Sequence, residues 1–208
     1  MPFEMWLAFA TAWFVLSLAP GPDNIFVLMQ SVIYGKRDGL WVVVGLCMGL
    51  TVHIILVSVG VSALIRASEV AFTAVKVLGA CYLVYLAILA WRAPTQEISL
   101  DGKKKRTEML PAWSLIRRGA LMNLTNPKVI IFFLAFFPQF LVEGYSIPIQ
   151  NTIMGITIIA TCLLVFGGIA ICADKVRALI TSAKVQRNVN RTGAFVFVCL
   201  ALNIVFTR

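Results

Sequence analysis

Six long apolar stretches constrain the fold of this chain more than any other feature of its sequence. They are Met5–Ile33, Leu40–Ile65, Val70–Trp91, Gly119–Val142, Ile147–Ala173 and Val189–Thr207. A helix that crosses a membrane needs about 20 predominantly apolar residues, and each stretch is close to that length or longer. None alternates polar and apolar residues as a barrel strand does. Because lipid offers no partner for backbone N–H and C=O groups, the stretches predict an all-α integral membrane protein with six transmembrane helices.

The composition excludes a water-soluble domain. Hydrophobic residues make up 60% of the 208 residues and charged residues only 13%, whereas soluble domains carry about 25% charged residues. Six spans leave no length for a soluble catalytic domain, so we expect one transmembrane domain over 1–208 and no enzymatic activity. The first stretch has Glu4 as its only early charge and runs into Pro20, so we expect it to be kept as a span and not cleaved as a signal peptide.

Basic residues between the stretches predict the orientation in the membrane. Fourteen of the 18 Lys and Arg residues fall in the odd-numbered loops: Lys36, Arg37, Arg92, Lys103, Lys104, Lys105, Arg106, Arg117, Arg118, Lys175, Arg177, Lys184, Arg187 and Arg191. Only Arg66, Lys76 and Arg208 fall on the other side. Positively charged loops stay in the cytoplasm, so both termini are predicted to lie on the opposite side of the membrane.

The net charge of +9 does not point to nucleic acid in this context. The basic run Lys103–Arg106 lies in the longest loop, 92–118, and no aromatic residues interleave with it as a base-stacking surface requires. We interpret it as a topology determinant beside anionic lipid. The five cysteines lie in apolar surroundings without a CxxC pair and are read as small buried hydrophobic residues: Cys47, Cys81, Cys162, Cys172 and Cys199. No cofactor and no metal site is expected.

Helix breakers and polar residues interrupt the first stretch near its middle. Pro20, Gly21 and Pro22 come directly before Asp23 and Asn24. Proline removes a backbone donor and clashes with the preceding turn, so the helix is predicted to break there. Asp23 and Asn24 then fall in the first turn of a second half-helix, whose free N–H groups favour an anionic group.

The fourth stretch has a similar interruption, with Asn123, Asn126, Pro127 and Lys128 near its middle. Asn126 before Pro127 is typical of a helix N-cap followed by proline at the first helical position. Each half of the chain, 1–91 and 119–208, holds three spans, so the second half runs through the membrane in the opposite sense. Interrupted spans at matching positions of inverted repeats indicate a transport site near the midplane. The alternative is that each proline merely kinks its helix.

These motifs together resemble the LysE/RhtB family of amino-acid exporters, over essentially the whole chain. The matching segments are Pro20-Gly21-Pro22-Asp23-Asn24, Gly35-Lys36-Arg37-Asp38-Gly39, Asn126-Pro127-Lys128, Phe132-Phe133 and Pro138-Gln139-Phe140. The resemblance implies a bacterial inner-membrane protein that expels amino acids, driven by the proton gradient. The family includes exporters of lysine and arginine and others of homoserine, threonine, leucine or cysteine. The Asp23 form of the motif does not indicate which. The oligomeric state, including a homo-oligomer, stays open.

An amino acid carries a carboxylate and an ammonium group, and its binding site has to provide a partner for each charge. The half-helix after Asn126, with Lys128, is the candidate partner for the carboxylate, and Asp23 is the candidate for the ammonium group and for exchange with a proton. In the empty site we expect Asp23 and Lys128 to pair with each other. The alternative for Lys128 is that its long stem carries the ammonium group to the cytoplasmic interface.

Other polar and small residues are weaker candidates. His53, the only histidine, is a candidate proton carrier or an interhelical hydrogen-bonding group. Gly45 and Gly49 form a GxxxG pair that favours close helix packing, as does Gly167-Gly168. Asp174 is interpreted as part of an interfacial ion pair, and Gln139 as a residue that lines an exit path.

Two functions of other classes compete with amino-acid export. A membrane-embedded thiol or electron carrier needs a reactive cysteine pair in facing helices, and neither prolyl break carries cysteine. A metal-ion exporter needs clustered His, Asp, Glu or Cys ligands, and one histidine with few deep acidic residues does not supply them.

Overall fold

The structure is a computed structural model that describes residues 1–19, 21–67, 69–93, 110–173, 175 and 182–206. In these residues it is helical throughout, with no β-strand. The α-helices are α1 (Phe3–Leu18), α2 (Pro22–Tyr34), α3 (Lys36–Ala67), α4 (Glu69–Arg92), α5 (Ala112–Thr125), α6 (Pro127–Ile131), α7 (Ile147–Ile171) and α8 (Ala183–Phe206). A π-helical turn, Phe132–Phe136, and a 3₁₀ turn, Phe137–Phe140, continue α6. The predicted all-α fold is confirmed.

Two helical segments are long and apolar enough to cross a membrane by themselves, Lys36–Gly60 in α3 and Ile147–Ile171 in α7. Two bent helix pairs bring this number to four if each pair counts as one span. One pair is α1 with α2, and the other is α5 with the segment Pro127–Phe140. The broken first and fourth helices are therefore confirmed, whereas six spans and the inverted repeat stay predictions.

Helices α5 and α8 begin six or seven residues before the apolar stretches that predicted them. The first turns of α5 include Arg117 and Arg118, whose side chains are exposed, and α8 begins with the exposed residues Ala183 and Lys184. Hydropathy therefore marked the apolar part of each helix and missed its polar beginning.

The outer surface is apolar, as expected for contact with lipid. Large hydrophobic side chains on α3 and α7 are more than half exposed, among them Leu56, Val59, Ile156 and Leu164. The interior holds apolar residues together with a small number of buried polar side chains, including Asp23, Asn24, His53, Asn123 and Asn126. The apolar outer surface supports the membrane location. The few buried polar groups are the distinctive part of the interior.

Glycines bring α3 and α5 into close contact. A Cβ on Gly45 would collide with the Ile116 carbonyl oxygen and lie 2.9 Å from the Ala120 nitrogen. A Cβ on Gly49 would lie 2.8 Å from Cβ of Asn123. The predicted packing role of the Gly45/Gly49 pair is confirmed. The same role predicted for Gly167-Gly168 is wrong in the described part of the chain, since a Cβ on either meets nothing within 4 Å.

Candidate functional site

The first break separates α1 from α2 by a bend of 56°. Helix α1 ends at Leu18, Gly21 is the extended N-cap residue of α2, and Pro22 occupies its first position. Pro20 lies outside the described residues. As predicted, Asp23 and Asn24 fall in the first turn of α2, where both are only 4% exposed. The Asn24 amide donates a hydrogen bond of 2.8 Å to the Ser17 carbonyl, which ties α2 back to α1.

The second break separates α5 from the helical segment Pro127–Phe140 by a bend of 53°. Asn126 is the N-cap, and its side-chain oxygen accepts a hydrogen bond of 3.0 Å from the Lys128 backbone N–H. Pro127 occupies the first helical position, where the missing N–H costs nothing. The cap predicted from the Asn-Pro-Lys order is confirmed.

Two contacts bring these breaks together. The Lys128 ammonium group donates a hydrogen bond of 2.9 Å to the carbonyl oxygen of Ala19, the C-cap residue of α1. The Asn123 amide donates one of 3.4 Å to Oδ2 of Asp23. Polar residues separated by about half of the chain therefore line one buried region.

The pairing expected between Asp23 and Lys128 takes the form of an electrostatic attraction, while the hydrogen bond of the Lys128 ammonium group goes to the Ala19 carbonyl. The carbonyl end of a helix carries partial negative charge and is a good partner for a cation. Lys128 does not extend away from the break, so the alternative in which its ammonium group reaches the cytoplasmic interface is not observed.

Each charged group faces the helix end of opposite polarity. Lys128 lies at the C-terminal, partly negative end of α1, and Asp23 lies in the first turn of α2, near its partly positive end. Helix ends thus partly compensate both charges, and Asn123 additionally donates a hydrogen bond to Asp23. A ligand that carries both signs can therefore exchange contacts with each group separately.

Several buried polar atoms of this region have no hydrogen-bond partner. They include one oxygen each of Asp23, Asn24 and Asn123, and the amide nitrogen of Asn126; of these, the Asp23 carboxylate and the Asn126 amide lie close enough to interact with each other. All four residues are at most 4% exposed. An unsatisfied buried polar group costs about 1–3 kcal/mol, so the unpaired oxygens of Asn24 and Asn123 make this region the candidate site for a polar ligand.

His53 links this polar region to an aromatic cluster. Its ring lies near the Asn123 backbone, stacks on Phe133 with a centroid distance of 5.1 Å, and is 8% exposed. Phe133 in turn contacts Trp13 and Phe137. His53 therefore lies beside the candidate site, although its proton-carrying role stays a prediction.

The aromatic cluster itself was not predicted as a unit. It is formed by rings of α1 and of the segment after Lys128: Phe9, Trp13, Phe132, Phe133, Phe136, Phe137 and Phe140. The signal was present in the sequence, because the phenylalanines at 132, 133, 136, 137 and 140 recur with helical spacing. Gln139 follows in the 3₁₀ turn as a half-buried residue.

A family model described as "LysE type translocator" matches residues 14–208 of this chain. The chain belongs to the LysE type translocator family. A homoserine/homoserine lactone efflux protein of Salmonella typhi is 34% identical over 208 residues, covering 100% of this chain and 99% of the relative. A leucine efflux protein of Salmonella choleraesuis is 32% identical over 158 residues, 76% of this chain and 71% of the relative. A membrane protein of Vibrio cholerae, described as uncharacterized, is 36% identical over 191 residues, covering 92% and 91%. No solved structure matches the chain.

Two features that the sequence analysis of this LysE type translocator singled out, Asp174 and the run Lys103–Arg106, lie outside the described residues. Gln150, which the sequence analysis missed, is fully buried and bonds to the backbone of Val142 and Tyr145, so it anchors the turn before α7.

The interpretation of all five cysteines as buried is wrong. Only Cys162 is buried, Cys47 is half-buried, and the other three are exposed: Cys81, Cys172 and Cys199. Cys47 and Cys162 face each other from α3 and α7. Neither cysteine lies at a prolyl break, in agreement with the sequence.

Proposed function

We propose that this LysE type translocator exports amino acids from the cytoplasm across the bacterial inner membrane, in exchange for protons. The observation that carries the proposal is the contact between the Lys128 ammonium and the Ala19 carbonyl, because it joins the two helix breaks beside Asp23. Relatives named for efflux of homoserine and leucine favour a neutral amino acid as the substrate.

In this proposal the substrate carboxylate binds Lys128 and the amide of Asn126, which turns from the Asp23 carboxylate to the substrate at the start of the segment Pro127–Phe140. The carboxylate replaces the Ala19 carbonyl as the partner of the ammonium group. A charge-assisted hydrogen bond between two ions is stronger than one to a neutral carbonyl, so the exchange favours binding.

The substrate ammonium group binds the unpaired oxygens of Asp23, Asn24 and Asn123. An ammonium group has three N–H donors, which equals the number of these acceptors. Asp23 then takes up a proton when the substrate has left, and this neutralises its carboxylate and carries the proton through the return step. His53, beside Asn123, is the second candidate for the proton.

The proposal includes an orientation and a domain plan. The whole chain, 1–208, forms one transmembrane domain of two inverted three-helix repeats, joined by the basic cytoplasmic loop 92–118, with both termini outside. The loop charges support this orientation. The site then lies near the midplane, where broken helices of inverted repeats meet.

The test is an efflux assay in bacterial cells that lack related exporters. Cells are preloaded with dipeptides that release homoserine, leucine or lysine, and the appearance of each amino acid outside is followed with and without the protein. We expect faster efflux of homoserine or leucine, which a protonophore abolishes. Unchanged efflux of every amino acid from cells that express the protein contradicts the proposal.

A further inference from the structure

Cys47 and Cys162 form a facing thiol pair between two membrane-spanning helices. Their sulfur atoms are 3.6 Å apart, with Cys47 on α3 and Cys162 on α7. Cys47 is the twelfth residue of the span Lys36–Gly60 and Cys162 the sixteenth of Ile147–Ile171, each of 25 residues. The pair therefore lies near the middle of both spans.

The packing around the pair is regular. Seven residues after Cys47, Ile54 contacts Gly155, which lies seven residues before Cys162, and a Cβ on Gly155 would be 3.1 Å from Cγ2 of Ile54. Seven residues are about two helical turns, so α3 and α7 are antiparallel and keep one register over this distance. The two thiols thus face each other because of the helix packing and not because of a local distortion.

The pair is also close to the candidate site. Cys162 is within electrostatic range of Asp23, and α7 packs against both α1 and α2, the two helices of the first break. On its other side α3 is held tightly to α5 through Gly45 and Gly49. A covalent bond between the thiols would join α3 to α7, and so would tie the helix packed against α5 to the helix packed against α1 and α2.

We propose that Cys47 and Cys162 are an oxidisable dithiol whose disulfide locks α3 to α7 and stops transport. Oxidation breaks two S–H bonds and forms one S–S bond. The two protons and two electrons pass to a two-electron oxidant that enters the bilayer, of the quinone class, which becomes the quinol. The half-buried Cys47 reacts with the oxidant first, and the fully buried Cys162 then attacks the Cys47 sulfur and completes the bond.

The geometry allows this reaction with a small adjustment. A disulfide has an S–S distance of about 2.05 Å, so the sulfur atoms have to approach by about 1.5 Å. Rotation about the side-chain torsions and a small shift of α7 supply this movement. This route to a disulfide is not open to the exposed cysteines in the same way, because none of them has a sulfur partner among the described residues: Cys81, Cys172 and Cys199.

The test counts thiols in the full-length protein in membrane vesicles. The vesicles are treated with diamide, a diazene that becomes a hydrazine as it oxidises two thiols, and the remaining thiols are alkylated after denaturation and counted by mass spectrometry. The wild-type chain, with five cysteines, should fall from five alkylated thiols to three and yield a Cys47–Cys162 linked peptide. Cys47→Ser and Cys162→Ser should each keep four. Five alkylated thiols in the treated wild type, or linkage through other cysteines only, overturns the proposal.

The transport arm rests on the proposed function and uses the same preparations. Oxidised wild-type protein should lose most of its efflux, and a phosphine reductant should restore it, whereas diamide should leave Cys162→Ser unaffected. A linked peptide with unchanged efflux contradicts the lock. If the reduced protein transports no amino acid, the proposed function fails, while the thiol count still decides whether the disulfide forms.

Discussion

Replacing Lys128 by methionine tests the charged part of the site. The substitution keeps an unbranched apolar side chain, one atom shorter, and removes the ammonium group that bonds to the Ala19 carbonyl at 2.9 Å. A hydrogen bond to a charged group is worth about 1.5–3 kcal/mol, and about 1.4 kcal/mol corresponds to a factor of ten. If the substrate carboxylate uses this group, Lys128→Met should lower substrate affinity by about 10- to 100-fold and abolish efflux at ordinary substrate concentrations.

The assay is efflux from dipeptide-loaded cells, with protein abundance in the membrane measured in parallel. Lys184→Met is a matched control, because Lys184 is an exposed residue in the first turn of α8. It should export at the wild-type rate. Lys128→Arg should keep part of the activity, since it retains the charge on a larger, planar group. Normal efflux by Lys128→Met refutes the role of Lys128 as a substrate ligand.

Three further outcomes are expected. Gly45→Ala should lower the free energy of unfolding in detergent by about 1–3 kcal/mol, because the new Cβ meets the backbone of α5. Gly60→Ala should not lower it, because a Cβ there meets nothing within 4 Å. Equal stabilities of the two variants contradict the close packing. Replacement of Pro20, Gly21 and Pro22 by alanine should give an inserted protein that does not transport, and normal efflux would show that the break is incidental. A C-terminal alkaline phosphatase fusion should be active and one after Lys105 inactive, and the reverse pattern would overturn the orientation.

Local features of the site could be predicted from the sequence because they depend on neighbouring residues. Proline and asparagine determine where α1 and α5 end and where α2 and α6 begin, and the N-cap contact of Asn126 spans only two residues. The Gly45/Gly49 spacing likewise predicted a close helix contact correctly. Hydropathy predicted the membrane location, since lipid requires helices with apolar surfaces.

Contacts between distant segments could not be predicted in this way. The bond from Lys128 to Ala19 joins residues 109 positions apart, and the Cys47–Cys162 contact joins residues 115 positions apart. Opposite charge suggested Asp23 as the partner of Lys128, and the two groups do attract each other, but a free carbonyl at the end of α1 accepts the hydrogen bond of the ammonium group. Helical spacing of the phenylalanines after Lys128 indicated a common face, but not that Phe9 and Trp13 of α1 would complete the cluster.

The central claim is that one site between the two breaks binds both charged groups of an amino acid. The most direct measurement is competition against labelled homoserine binding to purified protein, with homoserine and its decarboxylated analogue, 3-aminopropan-1-ol, tested on wild type and on Lys128→Met. If Lys128 binds the carboxylate, the decarboxylated analogue should bind much more weakly than homoserine to wild type but only slightly more weakly to the variant. The expected coupling energy is about 1–3 kcal/mol. If removal of the carboxylate weakens binding by the same factor in wild type and in Lys128→Met, the coupling energy is zero, and this result would contradict the account.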